Sequence, residues 1–236
     1  MEHGIKERTD SKDWRLLVVG NNNTFPRENN TRKNEAKLDM LKQLVTSSDC
    51  DILLLSEHNM NVLRTEHCSR PRNLMKNWWQ STISRFERLK STSGSPYEQG
   101  GTAIVTNISS SVHTIAAGGD TRKMGRWNWI TLRGKEDKMT TVISIYRPQE
   151  GQASAHRQLA RLQQDVYGDI REVQLHKIWV TDLSDLIKEK KDNGHQVLVA
   201  GDFNDDINDD QSTVSQMMQG LGLRNIMKET NGQGPV

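Results

Sequence analysis

The stretch Gln196-Val197-Leu198-Val199-Ala200-Gly201-Asp202-Phe203-Asn204 constrains this chain more than any other. Four apolar residues run unbroken into a glycine, and an acid and an amide follow two residues apart. A short apolar run bounded by turn residues predicts a strand buried on both faces. Val197 and Val199 favour a strand over a helix. Gly201 lets the backbone turn sharply where the strand ends. Asp202 and Asn204 then stand at the strand's carboxyl end, where open α/β sheets hold their ligands. A carboxylate there can bind a hard cation or take a proton from water, and an amide can hold a phosphate oxygen. The same residues also fit a strand that ends in an ordinary Asx-turn.

The pattern recurs along the chain. Trp14 to Val19 predicts a first strand, ending at Gly20 and the run Asn21-Asn22-Asn23. Leu38, Leu41, Leu44 and Val45 recur at helical spacing within residues 31–47 and predict an amphipathic helix. Asp51 to Leu55 is a second apolar run, delivering Ser56-Glu57-His58. His58 reads as a surface histidine beside a candidate acid. A glycine-led strand follows at Gly100-Gly101-Thr102-Ala103-Ile104-Val105. Ser111 to Ile115, Trp127 to Leu132 and Met139 to Tyr146 read as further strands, the last stopped by Arg147-Pro148. Helices are predicted over 152–166, 179–191 and 212–219. Asn193-Gly194 caps the second of these.

Charge adds little at the level of the whole chain, whose formal net charge is only +2. It is informative locally. From Arg64 to Lys90 seven basic residues face two acids, with Trp78 and Trp79 among them. This stretch reads as an amphipathic helix with a solvated face, or as a surface that contacts nucleic acid. Arg122, Lys123 and Arg126 make a second small basic group. Two cysteines, in no metal-ligand spacing, fit a reducing compartment inside the cell. The polar segment from Met1 to Arg15 lacks the apolar core of a signal peptide. Residues 1–13 read as a loose arm, and residues 14–236 as one domain.

Taken in order, strand-Asn-x-Asn, strand-Ser-Glu, Gly-Gly-Thr-Ala-Ile, Ile-Tyr-Arg-Pro and Gly-Asp-Phe-Asn resemble the endonuclease/exonuclease/phosphatase superfamily, over roughly residues 14–225. The resemblance implies a four-layer α/β sandwich, two central mixed β-sheets flanked by helices. It implies Glu57 as a metal-binding glutamate, with Asn21 and Asn23 helping to hold the metal. Tyr146 would contact the scissile phosphate, Asp202 would orient or deprotonate the attacking water, and Asn204 would assist on the phosphate. Arg147 and Arg126 would bind substrate. The cofactor would be Mg²⁺, with Mn²⁺ as a substitute, because Mg²⁺ takes oxygen ligands and needs few protein carboxylates.

The implied function is a phosphodiesterase that cuts a nucleic-acid backbone, DNA first. A Gly-Arg-Trp-Asn-Trp segment like those of retroelement members points to a mobile-element origin. The alternatives are a phosphatase on an inositol or lipid headgroup, and an inactive fold that binds nucleic acid or protein. The superfamily closes with a strand carrying a Ser-Asp-His-like motif, and this chain has no histidine after His195. The expectation is therefore a fragment lacking that strand, impaired in catalysis, with one sheet shorter than the other and open near the Asp202 strand.

Overall fold

A computed structural model describes residues 14–19, 31–59, 73, 76–77, 83–87, 100–149 and 172–226. The described strands form two four-stranded sheets. The first contains β1 (Leu16–Val19), β2 (Ile52–Ser56), β3 (Ile83–Glu87) and β4 (Thr102–Thr106), in the order β1-β2-β4-β3. The second contains β5 (Thr114–Gly119), β6 (Trp127–Arg133), β7 (Met139–Tyr146) and β8 (Gln196–Asp202), in that order. The helices are α1 (Thr31–Ser47), α2 (Ile108–Ser111), α3 (Glu172–Asp192) and α4 (Thr213–Gly220). This is the expected four-layer α/β sandwich. The β1–β2 and β7–β8 pairs are parallel and the others antiparallel, so both sheets are mixed.

Period-two alternation explains how the sheets meet. Ile52 and Leu54 of β2, Ile104 of β4, Ile130 and Leu132 of β6 and Val142 of β7 form the core between them, all essentially excluded from solvent. The opposite faces of β6 and β7 supply Trp127, Ile143 and Ile145 to a second core. Helix α3 covers that core with Trp179, Leu183 and Ile187, spaced four residues apart so that they form one stripe. Val214 and Met217 of α4 complete it. Apolar residues thus face both sides of β6 and β7, and these strands are uninterrupted in their burial except at Trp129 and the strand ends.

Three expectations are corrected. Ser111 to Ile115 is not a strand: Ile108–Ser111 is a helical turn, and the strand starts at Thr114. The Asn107 side chain caps that turn by accepting the Ser110 backbone N–H at 2.8 Å, the local hydrogen bond that draws serine-rich segments out of sheets. The basic stretch from Arg64 to Lys90 contains a strand, β3, paired antiparallel with β4 through Ile83↔Thr106 to Glu87↔Thr102. Within that stretch only residues 73, 76 and 77 are described as helical. Finally, His58 is fully buried rather than on the surface. It follows Glu57, whose φ of +56° turns the chain back into the molecule, and precedes Asn59 at φ +57°.

Neither sheet is shorter than the other among the described residues, where each has four strands, contrary to the expectation of one shorter sheet. The strand ending in Asp202 is the last in its sheet among those residues. The predicted helix over 152–166 lies outside the described residues, and no described helix is long and apolar enough to cross a membrane.

Candidate active site

One rim of the sandwich collects the carboxyl ends of three strands. Tyr146 and Asp202 are register partners at the ends of the parallel strands β7 and β8. Ser56 ends β2 in the other sheet, and its hydroxyl reaches across to that same rim. It donates to the Ile145 carbonyl at 2.8 Å and accepts the Asp202 backbone N–H at 3.2 Å. Glu57 is therefore delivered from the first sheet to the tyrosine and acid of the second. The Tyr146 hydroxyl donates to Glu57 Oε1 at 2.8 Å.

The backbone at this rim is bent at several points. Glu57, Asn59 and Asn204 all have positive φ, at +56°, +57° and +44°. Such conformations are uncommon in residues with a side chain and are held only where surrounding contacts enforce them. At Asn59 the enforcement comes from Gly100: the Asn59 N–H donates to the Gly100 carbonyl at 2.9 Å, and Asn59 Oδ1 accepts the Gly100 N–H at 2.6 Å. Asn204 is held by its N–H, which donates to Asp202 Oδ1 at 3.0 Å. Its side-chain nitrogen donates to the Arg147 carbonyl at 2.6 Å. That leaves the second hydrogen of the amide nitrogen for any ligand.

The electrostatics at Glu57 favour a cation. Burial pushes its carboxyl above the ordinary value, the Tyr146 hydrogen bond draws it partly back, and the charge of Asp202 adds to the rise. Two carboxylates near one another, one of them half-buried, form a pair that a positive charge would relieve. Their oxygens are the donor type that hard divalent cations take. Among the described residues no three His, Cys, Asp or Glu side chains cluster to hold a metal. Asn21 and Asn23, the other expected ligands, lie outside the described residues.

The two expected substrate arginines are placed otherwise. Arg126 is buried to 1% exposure. Its guanidinium donates twice to Asp120, at 2.8 and 2.7 Å, and once to Asp182 at 2.9 Å, while lying 4.1 Å above the Trp127 ring. Burial pushes the Asp182 carboxyl up, but the Arg122 hydrogen bond and the Arg126 charge outweigh this and hold it below its usual range. A guanidinium so committed braces the loop between β5 and β6. Its backbone carbonyl accepts the Tyr146 N–H at 2.8 Å, so the bracing extends to the rim. Arg147 is likewise buried, and its guanidinium binds the Asn204 carbonyl and the Asp205 carboxylate, both at 3.2 Å. It fastens the loop after Asp202 instead of facing a substrate.

The buried role of Arg126 gives a checkable consequence. Arg126→Met should cost about 3 kcal/mol of stability in urea unfolding, because it strands the fully buried Asp120 carboxylate. A variant as stable as the parent would reopen the substrate-binding role first expected of Arg126.

Two residues at the rim have no role in the sequence reading. Trp179 of α3 donates its indole N–H to the Tyr146 carbonyl at 3.2 Å and meets Trp127 edge-on at 6.1 Å. Ser56 is the other. Its position beside Glu57 is the only signal the sequence carries for it.

The sequence profile described as the Endonuclease/Exonuclease/phosphatase family matches residues 19–234. No curated protein matches the chain in sequence. Among solved structures, a β-hairpin deletion mutant of beta toxin from Staphylococcus aureus is similar with a TM-score of 0.51 at 14% identity, over 91% of this chain and 75% of that one. The 3′ phosphatase NExo from Neisseria, bound to a product DNA hairpin, has a TM-score of 0.49 at 16% identity, over 89% and 70%. The endonuclease domain of TRAS1, a telomere-specific non-LTR retrotransposon, has a TM-score of 0.39 at 13% identity, over 89% and 71%. At these identities the likeness concerns the fold alone. The profile match spans nearly the whole chain, and its fold and motif order agree: the chain belongs to the endonuclease/exonuclease/phosphatase family.

Proposed function

We propose that this chain is a divalent-cation-dependent phosphodiesterase that cuts the backbone of nucleic acid, DNA in the first instance, as an endonuclease. The observation that carries this reading is the meeting of Glu57, Tyr146 and Asp202 from two sheets at one rim. Phosphoesterase chemistry is common to nucleases and phosphatases of this family, and their use of divalent metals is general.

Each residue has a definite part. Glu57, with Asn21 and Asn23, would hold Mg²⁺ or Mn²⁺. When bound, the cation supplies positive charge that polarises the phosphoryl oxygen and steadies the leaving oxygen. Tyr146 keeps Glu57 oriented through its hydrogen bond, and would contact the scissile phosphate by turning that one hydroxyl proton from Glu57 to a phosphate oxygen. Asp202 orients the attacking water and accepts its proton, within a geometry fixed by its backbone amide. Asn204 adds an amide N–H beside it. On the substrate side, the β5–β6 loop lies at the same rim because β6 runs antiparallel to β7 and starts beside its end. This loop exposes Lys123, whereas Arg122 is paired with Asp182. The Gly125-to-Trp129 segment that begins β6 is the feature that favours a mobile-element source.

The test is nicking of supercoiled plasmid with Mg²⁺, with and without EDTA, beside an inositol polyphosphate as a second substrate. Nicking that EDTA abolishes supports the reading. Phosphate release from the inositol compound without nicking would make the enzyme a headgroup phosphatase, and neither activity would leave a binding fold.

Glu57→Gln sharpens the test. It should abolish cation-dependent nicking while raising the melting temperature of the cation-free protein. The fold favours protonated Glu57, so the parent loses stability as pH climbs from the ordinary value of 4.5 through the raised folded one, and the amide does not. Thermal scans across that range without divalent cations measure it. An unchanged pH profile in the variant would mean that Glu57 is not the strained acid of this rim.

A further inference from the structure

The two sheets meet differently at their two ends. Over most of the interface the contact is apolar, through Ile52, Leu54, Ile104, Ile130, Leu132 and Val142. At the rim it becomes polar. Ser56 Oγ of β2 donates to the Ile145 carbonyl of β7 at 2.8 Å, and Ser144 Oγ of β7 donates to the Leu55 carbonyl of β2 at 3.3 Å. Asn128 Nδ2 of β6 donates to the Thr102 carbonyl of β4 at 3.2 Å. The side chains of Ser56, Ser144 and Asn128 are all buried.

A polar seam of this kind has a physical consequence. Apolar contact is non-directional and tolerates small sliding of one sheet over the other. Hydrogen bonds near 3 Å are directional and do not. Glu57 and Asp202 come from different sheets, so the distance between their carboxylates depends on that sliding. Among the described residues, Tyr146 reaches Glu57 from the second sheet through its hydroxyl, and Ser56 reaches Asp202 from the first. Ser56 is covalently next to Glu57, and its oxygen accepts the amide of Asp202. By alternation along β2 it occupies the inward position that Ile52 and Leu54 occupy before it. A serine there gives up apolar burial and gains two specific bonds.

We propose that Ser56 is a positioning residue for the phosphodiester reaction: its hydroxyl, shared between the Ile145 carbonyl and the Asp202 amide, sets the sheet offset at which the cation-holding carboxylate of Glu57 faces the water-orienting carboxylate of Asp202. This rests on the metal-dependent reading of the site given above, and the experiment separates the two.

Tb³⁺ takes the oxygen ligands of a hard cation, and its luminescence, excited through nearby Tyr and Trp, reports binding without turnover. The measurements are Tb³⁺ titration and single-turnover nicking in Mg²⁺, on the parent, Ser56→Ala, Ser56→Thr, Ser144→Ala and Glu57→Gln. Loss of a group that orients a metal ligand costs about tenfold in affinity. Ser56→Ala should weaken Tb³⁺ by about that factor and slow the cleavage step, with KM for DNA unchanged. Ser56→Thr, which keeps the hydroxyl, should restore most of both. Ser144→Ala, which removes a cross-sheet bond without touching Asp202, should stay within about twofold of the parent in Tb³⁺ affinity.

Equal Tb³⁺ affinity in the parent and Ser56→Ala would overturn the proposal, provided Glu57→Gln still abolishes binding. An equal loss in Ser144→Ala would overturn it too, by making the effect general loosening of the sheets. Tb³⁺ binding that Glu57→Gln leaves intact would instead overturn the metal site itself. Should Ser56→Ala fail to fold, Ser56→Cys carries the comparison, since its weaker hydrogen bonding predicts an affinity below that of Ser56→Thr. Equal affinity in those two variants would overturn the proposal.

Discussion

Asp202→Asn is expected to lower the single-turnover rate of nicking by about 10²–10⁴-fold, the range that a positioned general base contributes. The asparagine keeps the side-chain volume and an oxygen for the Asn204 N–H, so the loop after β8 should hold its shape. The backbone amide still donates to Ser56. What disappears is the charge that accepts a proton from water. Single-turnover conditions matter because product release can hide a slower chemical step. The variant should also show a smaller gap between the acid strength of Glu57 and its ordinary value, since the Asp202 charge contributes to that gap. A rate within tenfold of the parent would assign proton removal to another group.

Gly201→Ala should be the most damaging substitution of a single atom in the described fold, costing at least about 4 kcal/mol. Two causes add. Gly201 has φ +142°, where L side chains are strained. A Cβ built there would lie 2.2 Å from the Ile145 carbonyl oxygen, 2.9 Å from its nitrogen and 2.9 Å from Ser56 Oγ. Two of these are backbone atoms of the neighbouring strand and cannot swing away. Relief would require β8 to separate from β7, or the sheets to part at the seam. Gly194, with φ +79° and no atom within 4 Å of a new Cβ, is the control. Gly194→Ala carries the backbone cost alone, about 1–2 kcal/mol. Urea unfolding of both variants measures the difference. Equal losses would mean that the close packing of β7, β8 and β2 at this rim is softer than its distances imply.

Much of this architecture was legible before any coordinates. Unbroken apolar runs ending in a polar residue are what a strand buried on both faces must look like, and β2, β7 and β8 were read from them. Helix α3 was legible from Leu183 and Ile187, though it starts earlier, at Glu172. The misreadings share a cause. Residues 83–87 are surrounded by basic residues in the sequence, and only the partner strand β4 makes them a strand. Sequence separates an exposed arginine from a buried one only through its partners. The partners of Arg126 stand six and fifty-six residues away, at Asp120 and Asp182.

The division for the site follows the same line. Which acids and amides end apolar strands is a local property, and local patterning determined it: Glu57, Tyr146, Asp202 and Asn204 stand where alternation and turn residues put them. That they belong to one rim is not local. It depends on β7 and β8 running parallel in register, on β2 lying in the facing sheet, and on the packing that brings the two sheets together there. The Ser56 hydroxyl has no recognisable pattern of its own. Its two partners lie 89 and 146 residues further along the chain. Contacts at such separations exist only after the chain has folded, so only the tertiary structure decided them.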